Sequence, residues 1–449
     1  MAEQAAKDEK PLQGVAMSLV RAIGRAGLTA LVLNCIIGAS IFGMPGEVYR
    51  QLGRASPLAM VVGALCMAVF IACAAEVGSQ FSEAGGPYLY VRRTFGRFAG
   101  LLVAWFWFLA GAGGVAASAN LFATYLGTFV PALTVSWVRP FTLGLLIAIP
   151  TIINCHGVRG GSALSAFLAL VKITPLVFLA LLGVAHFGVS QALPRATDVI
   201  LPGWSAWGTV LLLLLSAFGG WEDALAPAGE VKQPRHTLPF ALAAGLLISA
   251  ALYTVVQYVV TAGRVANEHA LADVAVILVG PAGGTLVAIA AMLSTYGYMS
   301  ADVVTTPRLL YSLAVEGDLP ELLARVHPRF HTPIYPIVGF VAVGYLLALS
   351  GTFLWALALA AGAVAVIYLG ICASLIRLRT LNPTADALRI PCGRAVAVAG
   401  IAVCVLLLAQ LDAGRLGLML ITAAIAAANW LWAVNADRQR QMVASGGAT

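Results

Sequence analysis

The sequence predicts an all-α polytopic membrane protein with twelve transmembrane helices, and three observations lead to this fold class. First, 61% of the 449 residues are hydrophobic and only 10% are charged, with a mean hydropathy of +0.92, whereas a soluble domain carries about 25% charged residues. Second, apolar runs near the ~20 residues that a bilayer-spanning helix needs recur from end to end of the chain. Third, these runs do not alternate in polarity as the strands of a membrane barrel do.

The predicted spans, in chain order, are residues 26–49, 57–81, 99–127, 139–155, 162–187, 205–226, 237–262, 282–313, 333–350, 353–377, 395–412 and 415–435. Twelve spans place both termini on the same side of the membrane. With the N-terminus inside, 19 of the 26 lysine and arginine residues fall in inside segments and 6 in outside loops, while Lys172 lies within a span. Because cytoplasmic loops carry the excess of positive charge, both termini are predicted to be cytoplasmic.

Two inside loops are predicted to hold short structured segments at the membrane face. The loops at residues 82–98 and 307–333 both mix charged and aromatic residues with Gly or Pro. A solvated connector is the alternative for each loop. Residues 1–25 are expected to form a cytoplasmic N-terminal tail without a cleavable signal peptide, and residues 436–449 a cytoplasmic C-terminal tail.

The first and sixth spans each contain an interruption with the same spacing. In CIIGASIFGMPG of the first span, Gly38 is followed seven residues later by Pro45, and in the sixth span Gly220 is followed seven residues later by Pro227. A unit of five spans repeated in tandem is inverted relative to the first copy, because an odd number of spans reverses its orientation. Paired interruptions of this kind indicate inverted repeats with a binding site at the bilayer midplane. Chance is the alternative, since Gly and Pro are both frequent in membrane helices.

Among the charged residues in or at the ends of the predicted spans, five are candidates for a role inside the membrane: Glu76, Lys172, Glu222, Asp223 and Asp302. At a helix centre each costs roughly 2.5–3.5 kcal/mol, so each needs a partner or a cavity. Glu222 lies in the sixth-span interruption and is the best candidate for a protonatable or pairing carboxylate near a substrate, with helix capping as the alternative. Lys172 either extends to the inner interface or points inward as a cation. Glu76 and Asp302 are favoured as structural pairing residues.

The sequence shows no pattern for an enzyme, a cofactor or a metal site. The six histidines lie at span ends or in loops, and neither HExxH, GxSxG nor GxxxxGK[ST] occurs. The seven cysteines form no CxxC and are interpreted as small buried residues. The net charge of +7 comes from short loops and tails, so it sets membrane orientation and does not indicate nucleic-acid binding.

Four motifs in order resemble those of the amino acid–polyamine–organocation (APC) transporter superfamily, in its amino acid permease and antiporter branch. They are IIGASIFGMPG, AEVGSQFSEAGGPYLYVRRTFG, SAFGGWEDALAPAGEVKQPRHTLP and TTPRLLYSLAVEGDLPELLARVHPRFHTP. The resemblance covers residues 22–435. It implies a LeuT-type fold, in which residues 26–187 (spans one to five) and 205–377 (spans six to ten) are inverted repeats and residues 395–435 form two further helices.

The resemblance also implies where a substrate carboxylate binds. In this family the first-span glycine motif binds the α-carboxylate of an amino acid, and the matching positions here are Gly38, Ala39 and Ser40. A helix that restarts there presents free N–H groups and a positive dipole end to an anion. Relatives often have Gly-Ser-Gly or Gly-Ala-Gly, so Ser40 adds a hydroxyl donor but narrows the backbone approach.

The substrate α-ammonium is implied to lie against carbonyl groups of the two broken helices. The matching positions are Ile36 in the first span and Ser216 and Gly219 in the sixth. Glu222 follows Trp221 where relatives often have Gly-Phe-Glu, and the bulkier aromatic raises the question of pocket size.

A fifth-span lysine is implied to replace a sodium ion. In several superfamily members such a lysine occupies the place that sodium takes in sodium-dependent relatives, and Lys172 matches it. Its ammonium group would bridge first-span carbonyls to the eighth span, and loss of its proton would release that bridge. The resemblance therefore predicts sodium independence and either proton coupling or exchange, with Lys172 and Glu222 as coupling residues.

The predicted function is secondary active transport of an amino acid by alternating access in a plasma membrane, taken as a bacterial inner membrane. Two alternatives stay open: an antiporter that exchanges an amino acid for an amine (a polyamine or a decarboxylation product), and a non-transporting amino-acid sensor of the same fold. The expected partners are an amino acid or amine, protons and the lipid bilayer, for a monomer or homodimer.

The substrate itself stays open at this stage. Glu222 and Asp223 favour a cationic substrate, while a broad carrier of neutral amino acids fits the sequence equally well. Small residues from Ala110 to Ala119 of the third span, and MLSTYGYMSAD of the eighth, are the segments expected to face the site.

Overall fold

The computed structural model describes residues 23–81, 86–156, 161–188, 202–225, 231–330, 332–381 and 388–446. The helices of the first half are α1 (Arg25–Ile36), α2 (Ser40–Gly43), α3 (Pro45–Leu52), α4 (Ser56–Gly78), α5 (Gly86–Phe95), α6 (Arg97–Phe129), α7 (Arg139–Cys155) and α8 (Gly161–Phe187). Those of the second half are α9 (Trp204–Ala217), α10 (Pro234–Gly263), α11 (Ala270–Val279), α12 (Pro281–Val315), α13 (Ile334–Ser350), α14 (Phe353–Leu381), α15 (Gly393–Leu408) and α16 (Ala413–Gly446).

The described chain is helical from end to end, which confirms the predicted all-α class. Its only strand-like contact is an isolated bridge between Ile23 and Val231. Within the described ranges, six helical segments are long and apolar enough to cross a bilayer by themselves: Pro45–Gly78, Arg97–Phe129, His236–Gly263, Pro281–Val315, Phe353–Leu381 and Ala413–Arg440. Shorter apolar helices lie between them. The protein is therefore an integral membrane protein, and the number of twelve spans stays a prediction.

Both predicted interruptions are present as far as the chain is described, with Pro227 at the end of the second lying outside the described residues, and the two touch each other. Helix α1 ends at Ile36, the next residue leaves the helical region, and α2 begins only at Ser40. Helix α9 ends at Ala217, and Gly220 has a φ of +92° that favours glycine. A Cβ atom on Gly220 would lie 2.5 Å from the carbonyl oxygen of Cys35. Glycine at this position thus allows the two broken backbones to meet.

Helices α6 and α14 form the centre of the molecule, and α16 lies at its edge. In α6 and α14, 72% of the most apolar stretch is buried inside the protein, against 22% in α16. Small residues of α6 permit close packing: a Cβ atom on Gly111 would lie 2.7 Å from the Thr306 hydroxyl oxygen of α12, and one on Gly113 would lie 3.2 Å from Ala360 of α14. The buried centre of the bundle is therefore built around α6.

The predicted structured segments in the two long loops are confirmed within the described residues. The first loop contains α5, and the second contains a short 3-10 helix at Glu321–Ala324. Asp318 joins the two loops, because its fully buried carboxylate accepts hydrogen bonds from Arg92 and Arg97. Arg97 also pairs with Asp437 on α16. Helix α16 continues past the predicted end of the last span as far as Gly446.

Glu76 is a structural pairing residue, as predicted. Its carboxylate accepts two hydrogen bonds of 2.6 Å from the guanidinium of Arg379 and one of 2.9 Å from the Ile390 amide. The contact joins the end of α4 to the end of α14 and the segment that follows it. The buried carboxylate of Glu76 is thus fully paired with hydrogen-bond donors, and the pairing of the other buried carboxylates can be compared with it.

Candidate functional site

A cavity of about 70 Å³ lies where the two interruptions meet, bounded by α6, α12 and α14. Among the residues that border it are these predicted site residues: Ile36, Gly38, Ala39, Ser40, Ser216, Gly219 and Glu222. Residues expected to face the site from the third span also border it: Ala110, Gly111, Gly114, Ala117 and Ser118. From the predicted eighth-span segment, Tyr298 and Asp302 contribute side chains. The chain thus brings residues from distant segments together around one enclosed space.

The restart of the first broken helix presents free amide groups. Among the described residues, no acceptor is found for the backbone N–H groups of Ala39, Ser40 and Ile41, while Gly38 N–H donates to Ile36 at 2.9 Å. Ser40 is 9% exposed and borders the cavity. Unpaired N–H groups at a helix start are donors for an anion such as a carboxylate.

The carbonyl groups near the cavity differ in their availability. The Ile36 carbonyl oxygen accepts a hydrogen bond of 3.0 Å from the Tyr253 hydroxyl and the one from Gly38 N–H. Both of its lone pairs are therefore occupied, so this carbonyl is not free for an ammonium group as the resemblance implied. No donor is found among the described residues for the carbonyl oxygens of Ser216 and Gly219. Among the carbonyl groups predicted to meet an ammonium group, those without a donor in the described structure thus belong to the sixth-span interruption.

Glu222 joins its own interruption to α14. One carboxylate oxygen accepts hydrogen bonds of 3.0 Å from the Gly220 amide and 3.0 Å from the Tyr368 hydroxyl, and the residue is 6% exposed. The Gly220 amide precedes Glu222, so this contact is not the predicted capping of the helix that resumes after the break, while the contact with Tyr368 links the interruption to another helix. Glu222 therefore pairs within its own interruption and with α14, and its role near a substrate stays a prediction.

Trp221 does not narrow the cavity. Its ring is fully buried and stacks on Tyr368 with ring centroids 5.2 Å apart, and its indole N–H donates to the sulfur of Met67 on α4 at 3.1 Å. The side chain thus points away from the cavity into the packing between α4 and α14. Because its side chain points away, the bulk of Trp221 does not reduce the size of the cavity.

Lys172 lies inside the bundle and contacts the first interruption. Its ammonium group donates to the carbonyl oxygens of Asn34 and Ile37, each at 3.0 Å, and the residue is 6% exposed. The alternative in which the side chain extends to the inner interface is therefore wrong. On the other side, the Ser294 hydroxyl of α12 donates to the Gly38 carbonyl oxygen at 3.3 Å. Helices α8 and α12 thus both hold the interruption in α1.

Asp302 is a cavity residue whose carboxyl group interacts with the Tyr298 hydroxyl of the same helix, and its structural pairing role stays a prediction. It is 6% exposed, and its Oδ2 atom has no hydrogen-bond partner within the described structure. The physical reason is that α6 opposes it with the small Gly114, which offers no side-chain donor. The sequence signal for a cavity role of Asp302 is its spacing of four residues from Tyr298, which places the two side chains on one face of the helix.

Comparison with known proteins agrees with this arrangement. The profile of the amino acid permease family matches residues 23–433. A serine/threonine exchanger of Bacillus subtilis (strain 168) is 26% identical over 345 residues, covering 74% of this chain and 76% of that protein. Cationic amino acid transporter 4 of Mus musculus is 26% identical over 373 residues, covering 77% of this chain and 57% of that protein.

A third relative has a name that refers to another class of amino acid. The large neutral amino acids transporter small subunit 2 of Oryctolagus cuniculus is 25% identical over 374 residues, covering 80% of this chain and 69% of that protein. The family profile spans nearly the whole chain, including both interruptions and every helix that borders the cavity. The chain therefore belongs to the amino acid permease family of the APC transporter superfamily.

Proposed function

We propose that this protein is a secondary active transporter that moves an amino acid across the membrane by alternating access. One observation carries the proposal: the cavity between the two broken helices has unpaired amides on one side and unpaired carbonyl oxygens on the other. Such a pair of half-sites is complementary to the carboxylate and ammonium groups that all amino acids share. The names of the relatives, which include an amino acid exchanger and amino acid transporters, support the same class of substrate.

In the proposed complex, the amides that follow Gly38 donate to the α-carboxylate, with Ala39 and Ser40 closest to it. The α-ammonium donates to the carbonyl oxygens of Ser216 and Gly219. Ile36 joins this set only if its carbonyl exchanges the Tyr253 hydroxyl for the substrate, which costs a hydrogen bond of about 1 kcal/mol. The sixth-span carbonyls therefore provide most of the ammonium site in the conformation described.

We propose that Lys172 couples transport to protons, with Glu222 as a second coupling group. The Lys172 ammonium holds two carbonyl oxygens of the first interruption, and a charged donor makes hydrogen bonds roughly twice as strong as a neutral one. Loss of its proton would weaken both bonds and release α1 from α8. We also propose sodium independence, because in the family that the chain resembles a fifth-span lysine at this position takes the place of the ion. The serine/threonine exchanger among the relatives keeps exchange as an equal possibility.

The proposed architecture is the LeuT-type fold. Residues 26–187 and 205–377 are proposed as inverted repeats of five spans, followed by two helices in residues 395–435. The contact between Gly220 and Cys35 supports this proposal, because it joins equivalent interruptions of the two repeats. Both termini are proposed to be cytoplasmic in a plasma membrane, taken as a bacterial inner membrane, and the protein to be a monomer or homodimer.

The test is a flux measurement in proteoliposomes that contain the purified full-length protein. Radiolabelled amino acids are supplied with and without an inward proton gradient, with and without sodium, and with unlabelled amino acid or amine inside the vesicles. We expect uptake that does not require sodium and that a proton gradient or internal substrate accelerates. Binding without flux under any of these conditions would overturn transport in favour of a sensor.

A further inference from the structure

The carboxylate of Asp302 points to the chemistry of the substrate side chain, and this inference rests on the function proposed above. Asp302 is 6% exposed and borders the cavity, and its Oδ2 atom has no hydrogen-bond partner in the described structure. A buried ionised carboxylate is costly unless a positive group or hydrogen-bond donors meet it. By contrast, buried Glu76 receives three hydrogen bonds. Apart from the Tyr298 hydroxyl on the same helix, Asp302 therefore has no donor among the described residues, and a bound molecule can supply one.

The charge around the cavity has a single sign. Glu222, Asp223 and Asp302 border it, and no lysine or arginine does among the described residues. Glu222 already accepts two hydrogen bonds, and the Lys172 ammonium donates to carbonyl oxygens of the first interruption. Asp302 thus faces a cavity in which the protein provides no balancing cation, so a positively charged ligand group fits there.

The ring of Tyr298 shows how far Asp302 lies from the proposed carboxylate site. A Cβ atom on Gly38 would lie 3.4 Å from Cδ2 of Tyr298. A Cβ atom on Gly114 would lie 2.8 Å from the Tyr298 hydroxyl oxygen and 3.1 Å from Oδ2 of Asp302. The ring therefore spans the distance between the first interruption and the aspartate. A long side chain that starts at the first interruption reaches Asp302 along this ring.

A second polar group without a partner among the described residues borders the same cavity. Ser118 of α6 is 1% exposed, borders the cavity, and its hydroxyl oxygen has no hydrogen-bond partner in the described structure. A hydroxyl oxygen accepts hydrogen bonds from an ammonium or guanidinium group. The Asp302 carboxylate and the Ser118 hydroxyl are thus two buried acceptors to which a molecule bound in the cavity can donate hydrogen bonds.

We propose that Asp302 binds the terminal cation of the substrate side chain, so that the protein selects amino acids such as lysine, ornithine or arginine. Ser118 accepts a further hydrogen bond from the same group. A cationic side chain pairs with the Asp302 carboxylate in the loaded state and a neutral side chain does not, which makes occupancy by a cationic amino acid more favourable.

The test compares lysine with norleucine, which has the same α-groups and a chain that ends in a methyl group. Calorimetric titration of the purified full-length protein is expected to give at least about tenfold tighter binding of lysine, since hydrogen bonds to charged groups are among the strongest. Asp302→Asn is expected to weaken lysine binding by about tenfold or more and to leave norleucine binding unchanged. Asp412→Asn, at an exposed carboxylate paired with Arg415, is the matched control and should change neither.

A second variant and a further ligand distinguish failure of this inference from failure of the proposed function. Asp302→Glu retains the charge and should keep the preference for lysine, while cadaverine lacks the α-carboxylate and should bind at least about tenfold more weakly than lysine. Tighter binding of norleucine than of lysine, or unchanged lysine binding by Asp302→Asn, would overturn this inference, whereas equal binding of cadaverine and lysine would contradict the proposed carboxylate site instead. If none of the twenty amino acids binds, the proposed function itself fails.

Discussion

At the scale of single residues, the first interruption is held open by side chains from other helices. Lys172 of α8 donates to the carbonyl oxygens of Asn34 and Ile37, and Ser294 of α12 donates to that of Gly38. These carbonyls would otherwise be buried without partners, at a cost of about 1–3 kcal/mol each. The open backbone that exposes the amides of the proposed carboxylate site therefore depends on these donors.

Lys172→Met is expected to reduce uptake in proteoliposomes at least about tenfold while the protein stays in the membrane. Methionine fills similar space but donates nothing, so both carbonyls lose their partner and the proton that we assign to coupling is absent. Lys232→Met, at an exposed lysine, is the matched control and should transport normally. Uptake by Lys172→Met that still responds fully to a proton gradient would remove the lysine from coupling.

Ser40→Leu is expected to weaken substrate binding about tenfold or more. Ser40 is 9% exposed beside the unpaired amides, and a larger side chain there overfills a small cavity at a cost of about 1–3 kcal/mol. Ser350→Leu, at an exposed serine near the end of α13, serves as the control. Unchanged affinity in the Ser40 variant, measured by the same titration, would exclude this segment from the site.

At the scale of elements, the meeting of the two interruptions depends on a backbone contact. Gly220 has a φ of +92°, and its position leaves no room for a side chain against the Cys35 carbonyl. The adjacent Glu222 carboxylate accepts a hydrogen bond from the Gly220 amide and reaches Tyr368 of α14. Glycine and glutamate thus define the shape of the second interruption together.

Gly220→Ala is expected to lower stability by roughly 1–3 kcal/mol from the strained backbone alone, and further because its Cβ atom would lie 2.5 Å from the Cys35 carbonyl oxygen. Thermal unfolding in detergent measures the change. Gly417→Ala on α16 has nothing within 4 Å of its added Cβ atom, so it should be neutral or slightly stabilising. Equal unfolding temperatures for the two variants would contradict the close contact.

At the scale of the whole molecule, one buried carboxylate closes the face that carries the two long loops. Asp318 accepts hydrogen bonds from Arg92 of α5 and Arg97 of α6, and Asn429 of α16 donates to its backbone carbonyl at 2.6 Å. Four separate parts of the chain therefore meet at a residue that is fully buried. If the protein works by the proposed alternating access, this contact has to break when the cavity opens to this side.

Asp318→Asn is expected to lower the unfolding temperature and to increase labelling of the cavity residue Cys35 by a thiol reagent, in a protein whose other cysteines are replaced. Removal of one partner of a buried ion pair costs about 3–5 kcal/mol, so the closed face should open more often. Asp437→Asn affects a carboxylate whose side chain is 43% exposed, and an exposed pair contributes at most about 1 kcal/mol. Equal labelling of the two variants would contradict a closing role for Asp318.

Much of the fold and part of the site could be predicted, because the signals are local. The all-α class follows from the apolar runs. The positions of the two interruptions follow from Gly38 and Pro45 in the first span and from Gly220 in the sixth. The inward direction of the Lys172 side chain does not follow from local sequence signals. Its sequence position is compatible with the interface, and only the resemblance to related transporters favoured the interior.

The sequence by itself determined the helical class, the two broken helices and the small-residue wall of α6, because each depends on residues close together in the chain. Only the tertiary structure decided that Trp221 points away from the cavity, that Tyr253 occupies the Ile36 carbonyl, and that Asp302 has a free oxygen. The physical reason is that hydrogen-bond partners are set by side chains hundreds of residues apart. Whether a buried charge is paired is therefore a property of the packed bundle and not of the segment that carries it.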